Sequence, residues 1–186
     1  MVNFFSLGGH IDMNRVGVSG HSAGASAASM LGDVPGVRAS VLMSGRQVRA
    51  GQYIKSVLIM GAEDDRITPY SGQVSAYDSS DAALTRLIGI KNSGHMAFTE
   101  ICTLLEDQGG ILAFAKNHGV PVPQIFETLG TDGCDPSQTL PEDGWEIINY
   151  AATAVFEETL QCAPERGSDF DDITSRFSAL LEYKEN

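Results

Sequence analysis

Three residues in this chain have the types and order that nucleophilic acyl transfer needs: Ser22, then Asp65, then His95. A serine hydroxyl is a poor nucleophile at neutral pH. It needs a base to take its proton, and the base needs an acid to fix its tautomer. Ser22 lies in Gly20-His21-Ser22-Ala23-Gly24, a Gly-x-Ser-x-Gly run between the apolar Val16-Gly17-Val18 and the small-residue stretch Ala25–Ser29. A strand running into a tight turn and then a helix is the context of a nucleophile elbow. Glycines at 20 and 24 would leave no Cβ to clash there. The N–H of Ala23 would be free to act as an oxyanion donor. The acid falls in Glu63-Asp64-Asp65-Arg66-Ile67, with Asp64 as the alternative to Asp65. The base falls in Ser93-Gly94-His95.

The elements around these residues must bring them to one edge. Up to Ile90 short apolar runs alternate with helical stretches, the pattern of a parallel α/β sheet. Strands are expected at about Arg15–Ser19, Val37–Met43, Ser56–Met60 and Thr85–Ile90. Helices are expected from the elbow to about Leu31 and near Tyr70–Ser79. The candidate residues then follow successive strands, at the carboxyl ends where open α/β sheets hold their sites. Beyond His95, helices are expected at Met96–Glu106, Ile111–Asn117, Trp145–Leu160 and about Phe170–Leu181. A long loop over 119–144 is expected because four of the seven prolines fall there. At 186 residues the chain reads as one domain, with an α/β core over 11–98 and helices plus a long loop over 99–186.

Composition sets limits. Hydrophobic residues make up 42% and charged residues 19%, which suits a chain with an ordinary buried core. The net charge of −12 argues against nucleic acid and anionic membrane surfaces as partners. No apolar run reaches the ~20 residues of a membrane span. The first residues lack the basic start and long apolar core of a signal peptide, although a longer precursor could carry one. Of the three cysteines, Cys102–Cys134 is the favoured pair and three buried thiols are the alternative. No Cys or His spacing suggests a zinc site. Asp132, Asp135, Glu142 and Asp143 cluster in the long loop but lack a calcium-loop pattern. His21 is read as packed under the elbow, and His10 and His118 as surface or turn residues.

The segments 11–25, Gly61–Pro69 and Ser93–His95 resemble the α/β-hydrolase family. Within it they look most like dienelactone-hydrolase-like esterases, platelet-activating-factor acetylhydrolases, cutinase-type polyester hydrolases and chlorophyllases. In polyester hydrolases of this branch the acid is the aspartate two residues before the isoleucine of a Glu-x-Asp-x-Ile-x-Pro segment, which points to Asp65. The resemblance implies a serine esterase with Ser22, Asp65 and His95 as its triad and no metal or organic cofactor. Its substrates would be short-chain esters or bulky, polymeric ones. Lactones, thioesters, phospholipid acetyl esters and a non-catalytic chain are the alternatives.

One departure from the family is plain. The elbow usually follows a fifth strand, and here it follows the first recognisable one. Gly8-Gly9-His10 lies too close to the elbow strand to supply the usual second oxyanion donor. Loss of such a donor typically costs ~10²–10³ in turnover, so weak to moderate activity and an open, shallow site are expected. A bare parallel edge on the first strand is an association hazard. Cover is therefore expected from residues 1–10, from the two C-terminal helices or from a second copy of the chain.

Overall fold

A computed structural model describes residues 11–45, 52–161 and 163–186. It contains a mixed α/β arrangement: a five-stranded, mostly parallel sheet flanked by helices. The strands are β1 (Val16–His21), β2 (Val37–Met43), β3 (Ser56–Ala62), β4 (Leu84–Ile90) and β5 (Leu180–Glu185), in that spatial order. β1 to β4 run parallel, and β5 is antiparallel to β4. The helices are α1 (Ala23–Ser29), α2 (Tyr70–Asp78), α3 (Ile111–Asn117), α4 (Gln124–Leu129), α5 (Pro141–Leu160) and α6 (Ile173–Arg176).

Period-2 alternation in the central strands builds a core on each face of the sheet. In β3, Leu58 and Met60 turn toward α5, where they join Ile147, Ala151, Ala154 and Val155. Val57 and Ile59 turn the other way, toward Ala25 and Ala28 of α1 and Ala76 of α2. Every residue of β3 is buried, as its unbroken apolar run requires. The long amphipathic α5 covers one face; α1 and α2 cover the other.

The four expected strands fall close to their expected ranges, β2 on the same residues. The C-terminal half differs. The expected helix over Met96–Glu106 is a series of 3-10 turns at His95–Phe98, Glu100–Cys102 and Glu106–Gln108. Thr99 is extended between the first two, and its Oγ1 accepts the Ile101 N–H, which restarts the chain in a new direction. Leu105 sits at φ 58, which no helix tolerates. The expected loop over 119–144 contains α4, and α5 begins at Pro141 rather than Trp145, with proline in the first turn where its missing N–H costs nothing.

The expected helix over Phe170–Leu181 is overturned most clearly. Helical structure there is limited to 3-10 turns ending at Phe170 and the four-residue α6. Phe177 is extended, and β5 follows. The cause is tertiary. Arg86 on β4 is 2% exposed, and its guanidinium is met by Glu185 of β5 and Glu158 of α5, over the ring of Phe170 at 4.1 Å. A buried guanidinium needs such partners, and only a strand places Glu185 beside it.

β5 covers the β4 edge, so the C-terminal segment cannot cover β1 at the opposite edge, contrary to expectation. Among the described residues β2 is the only strand paired with β1. α5 reaches β1 only through its face: a Cβ on Gly17 would lie 2.6 Å from the Phe156 ring. Residues 1–10, the other expected cover, lie outside the described residues. Cys102 and Cys134 form a disulfide, and Cys162 is outside the described residues. No helix among the described residues is long and apolar enough to cross a membrane.

Candidate active site

Each candidate residue sits just past the carboxyl end of a parallel strand. Ser22 follows β1, Asp65 follows β3 and His95 follows β4. Ser22 has φ 56 and ψ −118, a conformation that a non-glycine residue holds only when its surroundings impose it. Its N–H donates to Met43 O at 2.9 Å, and its carbonyl accepts the Ser26 N–H at 3.1 Å, so strand and helix fix both sides of the turn. Gly20 is sterically required: an added Cβ would meet the Gly24 carbonyl at 2.3 Å. Gly24 is not. A Cβ there meets nothing within 4 Å, which corrects the expectation that both glycines avoid a clash. Ala23 is the first residue of α1, so its N–H has no intrahelical acceptor.

The three side chains are in line. His95 Nε2 lies 2.9 Å from Ser22 Oγ, and His95 Nδ1 lies 2.8 Å from Asp65 Oδ2. His95 is 1% and Asp65 5% exposed. Asp64 is exposed and contributes only its main-chain N–H, to Ser93 O, so the geometry selects Asp65. Burial pushes the Asp65 carboxyl up. Hydrogen bonds from His95 and from the N–H and hydroxyl of Thr68 outweigh it and hold the group below the usual carboxylate range.

Three neighbours complete the arrangement. Thr68 donates its N–H to Asp65 Oδ1 at 2.7 Å, and its hydroxyl lies 2.7 Å from Asp65 Oδ2; the Ile67 N–H also reaches Oδ1, at 2.8 Å. His21 packs against the His95 ring, with centroids 4.6 Å apart, and against Phe98. Its Nε2 lies 2.8 Å from His95 O. Burial, and then the nearby His95, depress its pKa to about 4, so it is a neutral donor at pH 7. Asp132 is 6% exposed, and its Oδ2 accepts the main-chain N–H of both His95 and Arg66.

Thr68 and Asp132 were not marked by the sequence as parts of this site. Thr68 had a local signal, an Asp with Thr three residues on, where short side chains cap one another. Asp132 had none, because its partners are 37 and 66 residues away. Its suspected neighbours in a cation cluster do not join it; among the described residues no group of three or more His, Cys, Asp or Glu is arranged to hold a metal ion. His118 packs on Phe114 of α3, and His10 lies outside the described residues.

No protein-family model matches this chain, and no curated protein matches it in sequence.

Proposed function

We propose that this chain is a serine carboxylic-ester hydrolase of α/β-hydrolase type. The observation that carries the reading is the continuous line Ser22 Oγ, His95 ring, Asp65 carboxylate, with Ser22 held at positive φ on a strand-to-helix turn. A merely structural serine has no need of that backbone conformation or of a buried histidine–carboxylate pair behind it.

The reaction follows from the geometry. Ser22 Oγ attacks the ester carbonyl as His95 Nε2 takes the hydroxyl proton. Asp65 holds the proton on Nδ1 and stabilises the imidazolium that results. The Ala23 N–H donates to the oxyanion. His95 then passes its proton to the departing alcohol and leaves the acyl group on Ser22. Water, deprotonated by His95, releases the acid and restores the hydroxyl. No step calls on a metal or organic cofactor. An apolar hollow of about 390 Å³ starts at Met96, next to His95, and is walled by Ile101, Leu112, Val122, Phe126 and Leu129.

The test is p-nitrophenyl butyrate hydrolysis together with fluorophosphonate labelling. Ser22→Ala should abolish labelling and lower turnover by ~10⁴ or more. Undiminished hydrolysis by that variant would remove Ser22 from the mechanism. No labelling of the wild-type chain would favour a non-catalytic role.

A further inference from the structure

We infer that Asp132 is a positioning residue for the triad, bracing the histidine loop and the acid loop against each other with one carboxylate oxygen. The inference rests on the esterase reading above and adds to it a fourth side chain that touches no substrate.

Oδ2 of Asp132 accepts the His95 N–H at 3.0 Å and the Arg66 N–H at 3.1 Å. His95 is the triad base, and Arg66 directly follows the triad acid, so a single atom links the main chain at both. The Asp132 carbonyl adds a third bond, accepting the Met96 N–H at 2.7 Å. The main-chain N–H groups of residues 95 and 96 are therefore both held by residue 132. The side chain is buried, where an acceptor lost from two N–H groups is not replaced cheaply. The Arg66 guanidinium does not account for this burial. It is 3.7 Å away from Oδ1 and 80% exposed, so it adds little.

The backbone is shaped for the same contact. Gly94 and Gly133 pack face to face: a Cβ on Gly94 would lie 2.4 Å from Gly133 N, and Gly133 sits at φ 104. Only this close approach lets the carboxylate of residue 132 reach both loops. One residue further, Cys134 is bonded to Cys102, which follows the His95 turns. The brace is thus tied covalently to the segment it braces. The loops also meet through the Asp64 N–H and Ser93 O at 2.8 Å, so losing Asp132 should loosen the triad without dismantling it.

The test compares Asp132→Ala, Asp132→Asn and wild type in the full chain, with rates expressed per fluorophosphonate-titrated site. Removing the acceptor lets His95 drift, and a displacement of about 1 Å costs up to ~10²-fold in rate. Asp132→Ala should therefore lose about 10- to 100-fold in kcat with KM for p-nitrophenyl butyrate nearly unchanged. Asp132→Asn keeps an acceptor oxygen and should recover to within about threefold of wild type. The low-field proton resonance of the His95 Nδ1–H should shift or broaden in the alanine variant and return in the asparagine one.

A kcat per titrated site and a proton resonance both unchanged in Asp132→Ala would overturn the inference, even with a lowered Tm. If Asp132→Ala does not fold, Asp132→Glu carries the test. It keeps the charge but displaces the oxygen by a methylene, so kcat should fall about 10-fold; an unchanged kcat overturns the brace. Failure of the esterase reading looks different. Wild type would then show no Ser22 adduct, while the His95 resonance would still report on Asp132.

Discussion

The two halves of the candidate site are built on opposite terms. The acid–base half is dry and over-determined: Asp65 accepts two N–H bonds besides those of Thr68 Oγ1 and His95, and His95 is held through its ring and its main chain. The nucleophile half is partly open. Ser22 is half-buried, Ala23 and Gly24 are exposed, α1 has only seven residues, and β1 before it is the end strand of the sheet among the described residues. The difference has a physical logic. Proton transfer gains from exclusion of water and fixed partners, whereas a bulky ester needs an unobstructed approach to the hydroxyl. On the proposed reading, precision is concentrated where the proton would move, and access where the ester bond would break.

The sharpest way to break this contrast is at the carboxylate. Asp65→Asn should lower ester turnover by ~10⁴, because the amide favours the wrong imidazole tautomer. Asp64→Asn, in the exposed neighbour, should leave turnover within about twofold. Equal losses in steady-state assays of the two would mean that the dry half is not built around Asp65.

The next largest effect belongs to the nucleophile half. Gly20→Ala forces a Cβ into the Gly24 carbonyl and should cost upward of about 3 kcal/mol, with loss of Ser22 labelling. Gly24→Ala meets open space and should be neutral or stabilising by about 0.5–1 kcal/mol. Denaturant midpoints separate the pair. A tolerated Gly20→Ala would show the elbow to be looser than its φ implies.

Thr68→Val keeps the shape beside Asp65 and removes its hydroxyl donor. A lost hydrogen bond to a charged group of about 1.5 kcal/mol predicts a fall near 10-fold in kcat. An unchanged rate would place the hydroxyl outside the support of the acid.

A graded effect rather than a point loss is the pH slope from His21, whose ring packs against that of His95. Its folded pKa, about 4, is below the unfolded value near 6.5. Between those values the unfolded chain binds the extra proton, so stability falls as pH falls through that window, by up to about 3 kcal/mol. Asp65, with its pKa lowered on folding, adds a further loss below about pH 4 as the unfolded carboxyl protonates first. Urea midpoints from pH 7 to 4 should decline in wild type and flatten in His21→Gln.

Much of this was legible in the residues themselves. β2, β3 and β4 announce themselves as apolar runs, and the elbow, the acid segment and His95 follow β1, β3 and β4 in the order that the proposed chemistry would require. What was hidden was non-local. Phe170, Ile173 and Phe177 have helical spacing, yet the buried Arg86 and the uncovered edge of β4 make a strand of Leu180–Glu185. Met96–Glu106 has helical composition, but Cys102 is bonded to a residue 32 positions away and the turns around it follow that constraint. Asp132 read as a loop acid because nothing near it in the chain needs it.

The disulfide between Cys102 and Cys134 has a consequence for proteolysis. It closes a loop that contains α3, α4 and Asp132, and several of its apolar side chains, including Ile125 and Phe126, are exposed to an attacking protease. A single cut between 103 and 133 would yield two polypeptides that remain joined through the cystine. Such a nicked chain would run as two bands only after reduction, with Asp132 still covalently tethered beside His95.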